Sequence, residues 1–206
     1  MHDYLDLADW RRWVSELYTQ VRREPDAEAA WQLWWQGRDV LFGRHPQSPI
    51  PEEERRGFVG LAYFDHDSRW CTTGRLDQVK PRRVGLVAHD DGETALLLLG
   101  TVYFSLSDAA GVPREHNLPL YWMDDYAGGL FLPFRDLTSG HDTYGGGRYL
   151  LDTAKGADLG TLGGELVLDF NFAYHPSCTH DPRWSCPLAI ADAYLPVAVT
   201  AGERLT

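Results

Sequence analysis

The chain has 206 residues, 44% hydrophobic and 13% aromatic, which supplies a core for one domain and is too apolar for a disordered segment. The net charge is −11, and basic residues come only as isolated pairs such as Arg55–Arg56 and Arg82–Arg83; a phosphate-binding surface, and with it nucleic acid as a partner, is excluded. The acidic start MHDYLDLADWRRW is no signal peptide, and the longest apolar run (94–106) is too short to span a bilayer, so a soluble cytoplasmic protein without a membrane partner is expected.

In chain order, apolar residues first recur at helical spacing. Leu7, Trp10, Val14, Leu17 and Val21 form one stripe; Pro25–Asp26 breaks it and offers an N-cap; Ala27, Ala30, Trp31, Trp34 and Leu41 form a second that ends near Gly43. Two antiparallel helices are predicted, with their tryptophans packed as core and Trp13 or Trp35 as the exposed ring. A proline-punctuated connector, GRHPQSPIPEEERRG, closes a helical unit over 1–56.

From residue 57 to 206 the pattern changes to strands. Candidates are 58–64, 69–76, 83–88, 94–106, 118–123, 129–135, 146–153, 165–172 and 195–200, joined by turns such as HDDGE (89–93), DDYAGG and KGADLGTLGG. Such short connections leave no room for crossover helices, so the sheet is expected to be antiparallel. The fold class is mainly β: an antiparallel barrel-like or strongly bent sheet with an N-terminal two-helix hairpin, the two parts forming one compact unit.

Three stretches carry candidate chemistry. In DFNFAYHPSCTHDPRWSCPL, Cys178 and Cys186 accompany His175 and His180. Zinc would use thiolate and imidazole, but the spacing lacks the usual paired ligands, so no metal and no cofactor is assigned. A disulfide would close a loop of about nine residues and contribute about 2.5 kcal/mol in the chain-entropy model. A nucleophilic Cys178 with His180 as its base is a third option. Two reduced thiols in a turn stiffened by Pro176, Pro182 and Pro187 is the reading that asks least of the sequence. In TYGGGRYLL a strand, not a helix, follows the glycines, which points to a tight turn or bulge rather than an anion cradle. In ELVLDFNF and GRYLLD, polar residues interrupt strands that otherwise read as buried.

The order Phe-Arg-Asp, Tyr-Gly-Gly-Gly-Arg-Tyr, Asp-Phe-Asn, Cys, then Cys-Pro resembles the prokaryotic domain-of-unknown-function family 1684. The resemblance covers nearly the whole chain. It implies no established activity. It directs attention to Arg135, Tyr144, Arg148, Tyr149, Asp169, Asn171, Cys178 and Cys186; His175 and His180 depart from the family's pattern.

The residues support a protein of unknown function that binds a small polar or anionic molecule in a barrel-end pocket lined by Arg135, Tyr144, Arg148, Tyr149 and Asn171. On that reading Arg148→Ala abolishes binding and leaves the fold intact. The alternative is an enzyme with Asp169 as general acid or base, or Cys178 as nucleophile. A further alternative is a homo-oligomerisation module built on the aromatic helices. A buried Arg–Asp pair that serves only the fold competes with all three.

Overall fold

The computed structural model describes residues 4–89, 92–108 and 110–206. The expected tip of the HDDGE turn, Asp90–Asp91, lies outside the described residues. Helices α1 (Tyr4–Val21) and α2 (Ala27–Arg44) form the hairpin. Asp26 caps α2: its carboxylate accepts from the Ala29 N–H at 2.7 Å, satisfying one of the orphan donors at a helix start. The connector holds one short helical turn, α3 (Glu52–Arg55).

Among the described residues nine strands follow: β1 (Ala62–Tyr63), β2 (Cys71–His89), β3 (Gly92–Ser107), β4 (Pro113–Asp124), β5 (Gly129–Phe134), β6 (Arg148–Asp152), β7 (Thr161–Leu162), β8 (Glu165–Asp169) and β9 (Glu203–Arg204). Seven of them make one antiparallel sheet in the order β6-β5-β4-β3-β2-β8-β7, curled into a half-barrel, while β1 pairs with β9. Strand β2 serves two neighbours: residues 71–74 pair with β8 and residues from 75 onward with β3. Register shifts between Gln78 and Arg82, and between Arg83 and Gly85, bend it along its pairing with β3.

Several boundaries differ from the sequence reading. The segments read as strands at 69–76 and 83–88 are one bent strand, because bulges let pairing run through Pro81. The strand expected at 165–172 stops at Asp169, where a 3₁₀ turn, Phe170–Phe172, takes over. Segment 195–200 is no named strand. It threads across the concave face instead, bonded through Leu195 N–H to Arg135 O and Leu137 N–H to Val197 O. Of the stretch 58–64, only Ala62 and Tyr63 pair.

The main core fills the concave side of the sheet with Val102, Leu118, Leu132, Leu150, Leu168 and Phe170, and Leu195, Val199 and Ala201 close it from the C-terminal segment. A second cluster joins hairpin to sheet through Tyr18, Val21, Trp34, Ala157 and Phe172. Trp34 is fully buried, meets the Phe172 ring at 5.3 Å and donates its indole N–H to the Tyr18 hydroxyl at 3.1 Å. Trp13 is 38% exposed, whereas Trp35 is half-buried. Among the described residues, no helix is long and apolar enough to cross a membrane.

The triple glycine is a tight turn into β6. Gly147 has φ +94°, and a Cβ there would lie 2.5 Å from the Phe134 carbonyl oxygen. At Gly145 the nearest atom to such a Cβ is 3.7 Å away. Gly147→Ala is therefore expected to lower the unfolding free energy by about 1–3 kcal/mol in urea denaturation. Gly145→Ala should leave the urea midpoint nearly unchanged. Equal effects at the two positions would refute this account of the turn.

Candidate functional site

The residues singled out in the sequence fall in separate places. Arg148 is 1% exposed and surrounded by its own fold. It donates to Asp136 at 3.1 Å and to the carbonyls of Val199, Ala201 and Glu203, and its guanidinium lies 5.1 Å from the Phe134 ring. Its arginine–carboxylate partner is thus Asp136 rather than Asp169. Arg135, half-buried, bridges through its backbone to Tyr194, and its Nε has no hydrogen-bond partner.

Asp169 ends β8 and caps the 3₁₀ turn that follows it. Its Oδ1 accepts from the Asn171 backbone N–H at 3.0 Å and the Asn171 side-chain amide at 2.8 Å. Burial pushes its carboxyl above the ordinary range, with the Asn171 hydrogen bonds opposing. Asn171 is fully buried, and its amide also pairs with both backbone polar groups of Asp67. These two residues tie β8 to the segment before β2.

Cys178 and Cys186 are free, half-buried thiols. The Cys178 N–H points at the Cys186 sulfur, 3.4 Å away, and the Cys178 sulfur is 4.0 Å from the Tyr144 hydroxyl. Burial, then the neighbouring Cys186, push the Cys178 thiol up to about 11. At neutral pH it is a protonated thiol, which the nucleophile reading did not expect. The expected base, His180, has its Nε2 3.5 Å from Glu203, and its ring stands edge-on to Phe42.

Glu203 is the centre that the sequence reading missed. Its carboxylate is 1% exposed and meets Arg38 at 2.5 Å and both His175 Nδ1 and His180 Nε2 at 3.5 Å. It also accepts the His175 backbone N–H at 3.0 Å. The Tyr144 N–H donates to His175 Nε2 at 3.2 Å, so the ring proton of a neutral His175 sits on Nδ1, facing Glu203. Burial raises the Glu203 carboxyl, but Arg38 and the two histidines outweigh it and hold the group well below its ordinary range. Arg38 is walled by three rings, with its guanidinium carbon 5.0 Å from Trp34, 4.9 Å from Phe42 and 4.9 Å from Tyr174. A signal for this existed: Arg38 follows Trp34 by one helical turn, so it falls on the apolar stripe of α2 where a hydrophobe belongs.

Beside this centre lies a cavity of about 60 Å³ between the hairpin and the half-barrel. Its lining includes the apolar Trp10, Val14, Leu41 and Phe42 and the polar Arg38, Lys155, His175 and tyrosines 18, 149 and 174. Of the residues named from sequence as a site, only Tyr149 borders it. Lys155 is 46% exposed and reaches Asp152 at 3.3 Å. The Asp152 side chain is 2% exposed, and its second oxygen has no hydrogen-bond partner. Lys155 also borders an outer groove of about 280 Å³ with Arg11, Asp125 and Tyr126. Among the described residues, no group of three or more His, Cys, Asp or Glu side chains is placed to hold a metal ion.

Residues 56–204 match the model of the family described as "Protein of unknown function (DUF1684)". The chain belongs to that family. It is also similar to the solution NMR structure of an uncharacterized protein from gene locus rrnAC0354 of Haloarcula marismortui. Identity is 37%, the TM-score is 0.60, and the match covers 86% of this chain and 94% of that one. None of the curated proteins matches. The DUF1684 stretch contains Glu203, His175, Lys155 and the cysteine loop, whereas Arg38 and both long helices precede it. The ion pair between Arg38 and Glu203 therefore joins the helical hairpin to the family's β-structure.

Proposed function

We propose that this DUF1684 protein binds a small polar or anionic molecule in the cavity between its helical hairpin and its half-barrel. One observation carries the reading: the cavity lining combines Arg38, Lys155 and His175 with the apolar residues Trp10, Val14, Leu41 and Phe42. Ligand sites commonly combine a few convergent polar groups with an apolar lining. At about 60 Å³ the cavity is far smaller than the roughly 150 Å³ that admits a benzene ring. A carboxylate on a short alkyl chain suits that size and that mixture of cationic and apolar lining. Lys155 is half-exposed, lies 3.3 Å from Asp152 and 6.0 Å from the Tyr149 ring, and is a cation that can turn towards such a ligand, while Arg38 is committed to Glu203.

Titration calorimetry with acetate and propionate tests the proposal. Saturable binding is expected for the native protein, with a loss of at least tenfold in affinity in Ala157→Val. Ala157 is 2% exposed and borders the cavity, so the added methyl groups occupy ligand space while the fold is retained. Absence of binding in the native protein, or full affinity in a folded Ala157→Val variant, overturns it.

A further inference from the structure

The loop from Cys178 to Cys186 holds the cavity wall at both of its ends. Ser177, next to Cys178, borders the cavity. Pro187, next to Cys186, accepts a hydrogen bond from the Tyr149 hydroxyl, and the Tyr149 ring borders the same cavity. The Cys178 backbone N–H donates to the Cys186 sulfur at 3.4 Å, which brings the second cysteine against the backbone of the first. Both residues are half-buried, so small solutes reach them, and each leads into a proline-fixed segment at Pro176 or Pro187. The third thiol, Cys71, lies on β2 opposite Asp169 of β8.

We propose that Cys178 and Cys186 are a reversible modification site, a dithiol that closes to a disulfide across the base of this loop. The Cys186 sulfur already lies 3.4 Å from the Cys178 backbone nitrogen, so closure turns the Cys178 side chain from the Tyr144 hydroxyl towards it. The oxidant is a low-molecular-weight disulfide such as oxidised glutathione. One cysteine thiolate attacks a glutathione sulfur, breaking the glutathione S–S bond and releasing one glutathione thiolate. The second cysteine gives up its proton and attacks the protein-side sulfur of the mixed disulfide, expelling the other glutathione thiolate. Two protein thiols are oxidised, one small disulfide is reduced to two thiols, and the two protons end on glutathione. Closure joins the segment carrying Ser177 to the segment that anchors Tyr149. The inference stands on the loop alone and does not require the cavity to hold a ligand.

The test equilibrates the full chain in glutathione buffers of increasing oxidation, quenches with an alkylating reagent and measures intact mass. Reduced protein should take three labels, one for each cysteine of the chain. Oxidised protein should take one label, on Cys71 by peptide mapping, with an otherwise unlabelled mass lower by two hydrogen atoms. Cys71→Ser should still lose both remaining labels, while Cys178→Ser should keep its labels or stop at a glutathione adduct. Hydrogen exchange at the amides of residues 177–179 should slow on oxidation. Three labels at every glutathione ratio, a lasting glutathione adduct on the native pair, or a disulfide that uses Cys71 would each overturn the proposal.

Discussion

Arg38→Met is expected to lower the unfolding free energy at neutral pH by about 3–5 kcal/mol, the usual result of stripping one partner from a buried ion pair. The guanidinium does three things that methionine cannot. It neutralises Glu203 at 2.5 Å, it donates to the Tyr63 hydroxyl at 3.3 Å, and it presents a cation to three aromatic faces. Methionine fills much of the same volume, so the cost is electrostatic rather than a cavity. What remains in the variant is a carboxylate that is 1% exposed, contacted by two imidazoles and a backbone amide, with the Arg148 cation acting on it at longer range.

The pH dependence separates this from a packing defect. In the native protein the Glu203 carboxyl lies well below its ordinary value of 4.5. A depressed carboxyl contributes stability that is present above the unfolded value and lost only as pH falls through the folded one. The native protein therefore keeps that contribution throughout mildly acidic conditions. Without Arg38, burial is no longer outweighed and the folded carboxyl rises above the unfolded one. The penalty is then full at neutral pH and shrinks as the group takes up a proton on acidification. Urea denaturation of both proteins from neutral to mildly acidic pH should show the gap narrowing. Glu203→Gln in the Arg38→Met background should recover part of the loss, since the amide accepts the His175 N–H without a charge. A gap that stays constant with pH, or no recovery in the double variant, would show that Glu203 is not the group left exposed to burial.

The architecture was legible because its signals are local. Two apolar stripes broken at Pro25–Asp26 produced the helices, and the absence of room for crossovers produced the antiparallel sheet. The missed boundaries reflect choices made by partners far along the chain. The strand ends at Asp169 because Asn171 offers that carboxylate both an N–H and an amide, bonds that a strand would not supply. Val197 and Val199 look strand-like but pack into the core from a coil whose carbonyls are taken by Arg148. For the site, Arg148 and Asp169 were rightly marked as charged residues in buried strands, yet each ends among partners that no short stretch of sequence displays. Glu203 was invisible for the same reason: Arg38 approaches it from 165 positions away. Only the charge on the apolar stripe of α2 announced that some carboxylate had to be near.

Arg148 decides between the function first read from the sequence and the fold seen here. Arg148→Ala was expected to abolish ligand binding and spare the fold; the structure leads to the opposite expectation. The guanidinium is 1% exposed, and its Nη atoms serve Asp136 and the carbonyls of Val199, Ala201 and Glu203. Truncation leaves Asp136, itself 3% exposed, without its cation and removes the donors of three carbonyls. The expected cost is again about 3–5 kcal/mol, and more where the carbonyls find no water. Burial lowers the Arg148 pKa to about 10 even with Asp136 beside it, so at neutral pH the group is charged and the pair is needed. The loss should start locally. Asp136 accepts the Val199 N–H at 2.8 Å, so the arginine and the aspartate together clasp the segment that runs from Val199 to β9. Arg148→Lys keeps the charge but lacks the planar fork that reaches several acceptors at once. Hydrogen exchange in that variant should show the amides of residues 199–205 opening well before those of β3 and β4. If the segment stays as protected as the central strands, or if Arg148→Ala folds with native stability, the arginine is not a clasp. Its donors would then be free to act on a ligand.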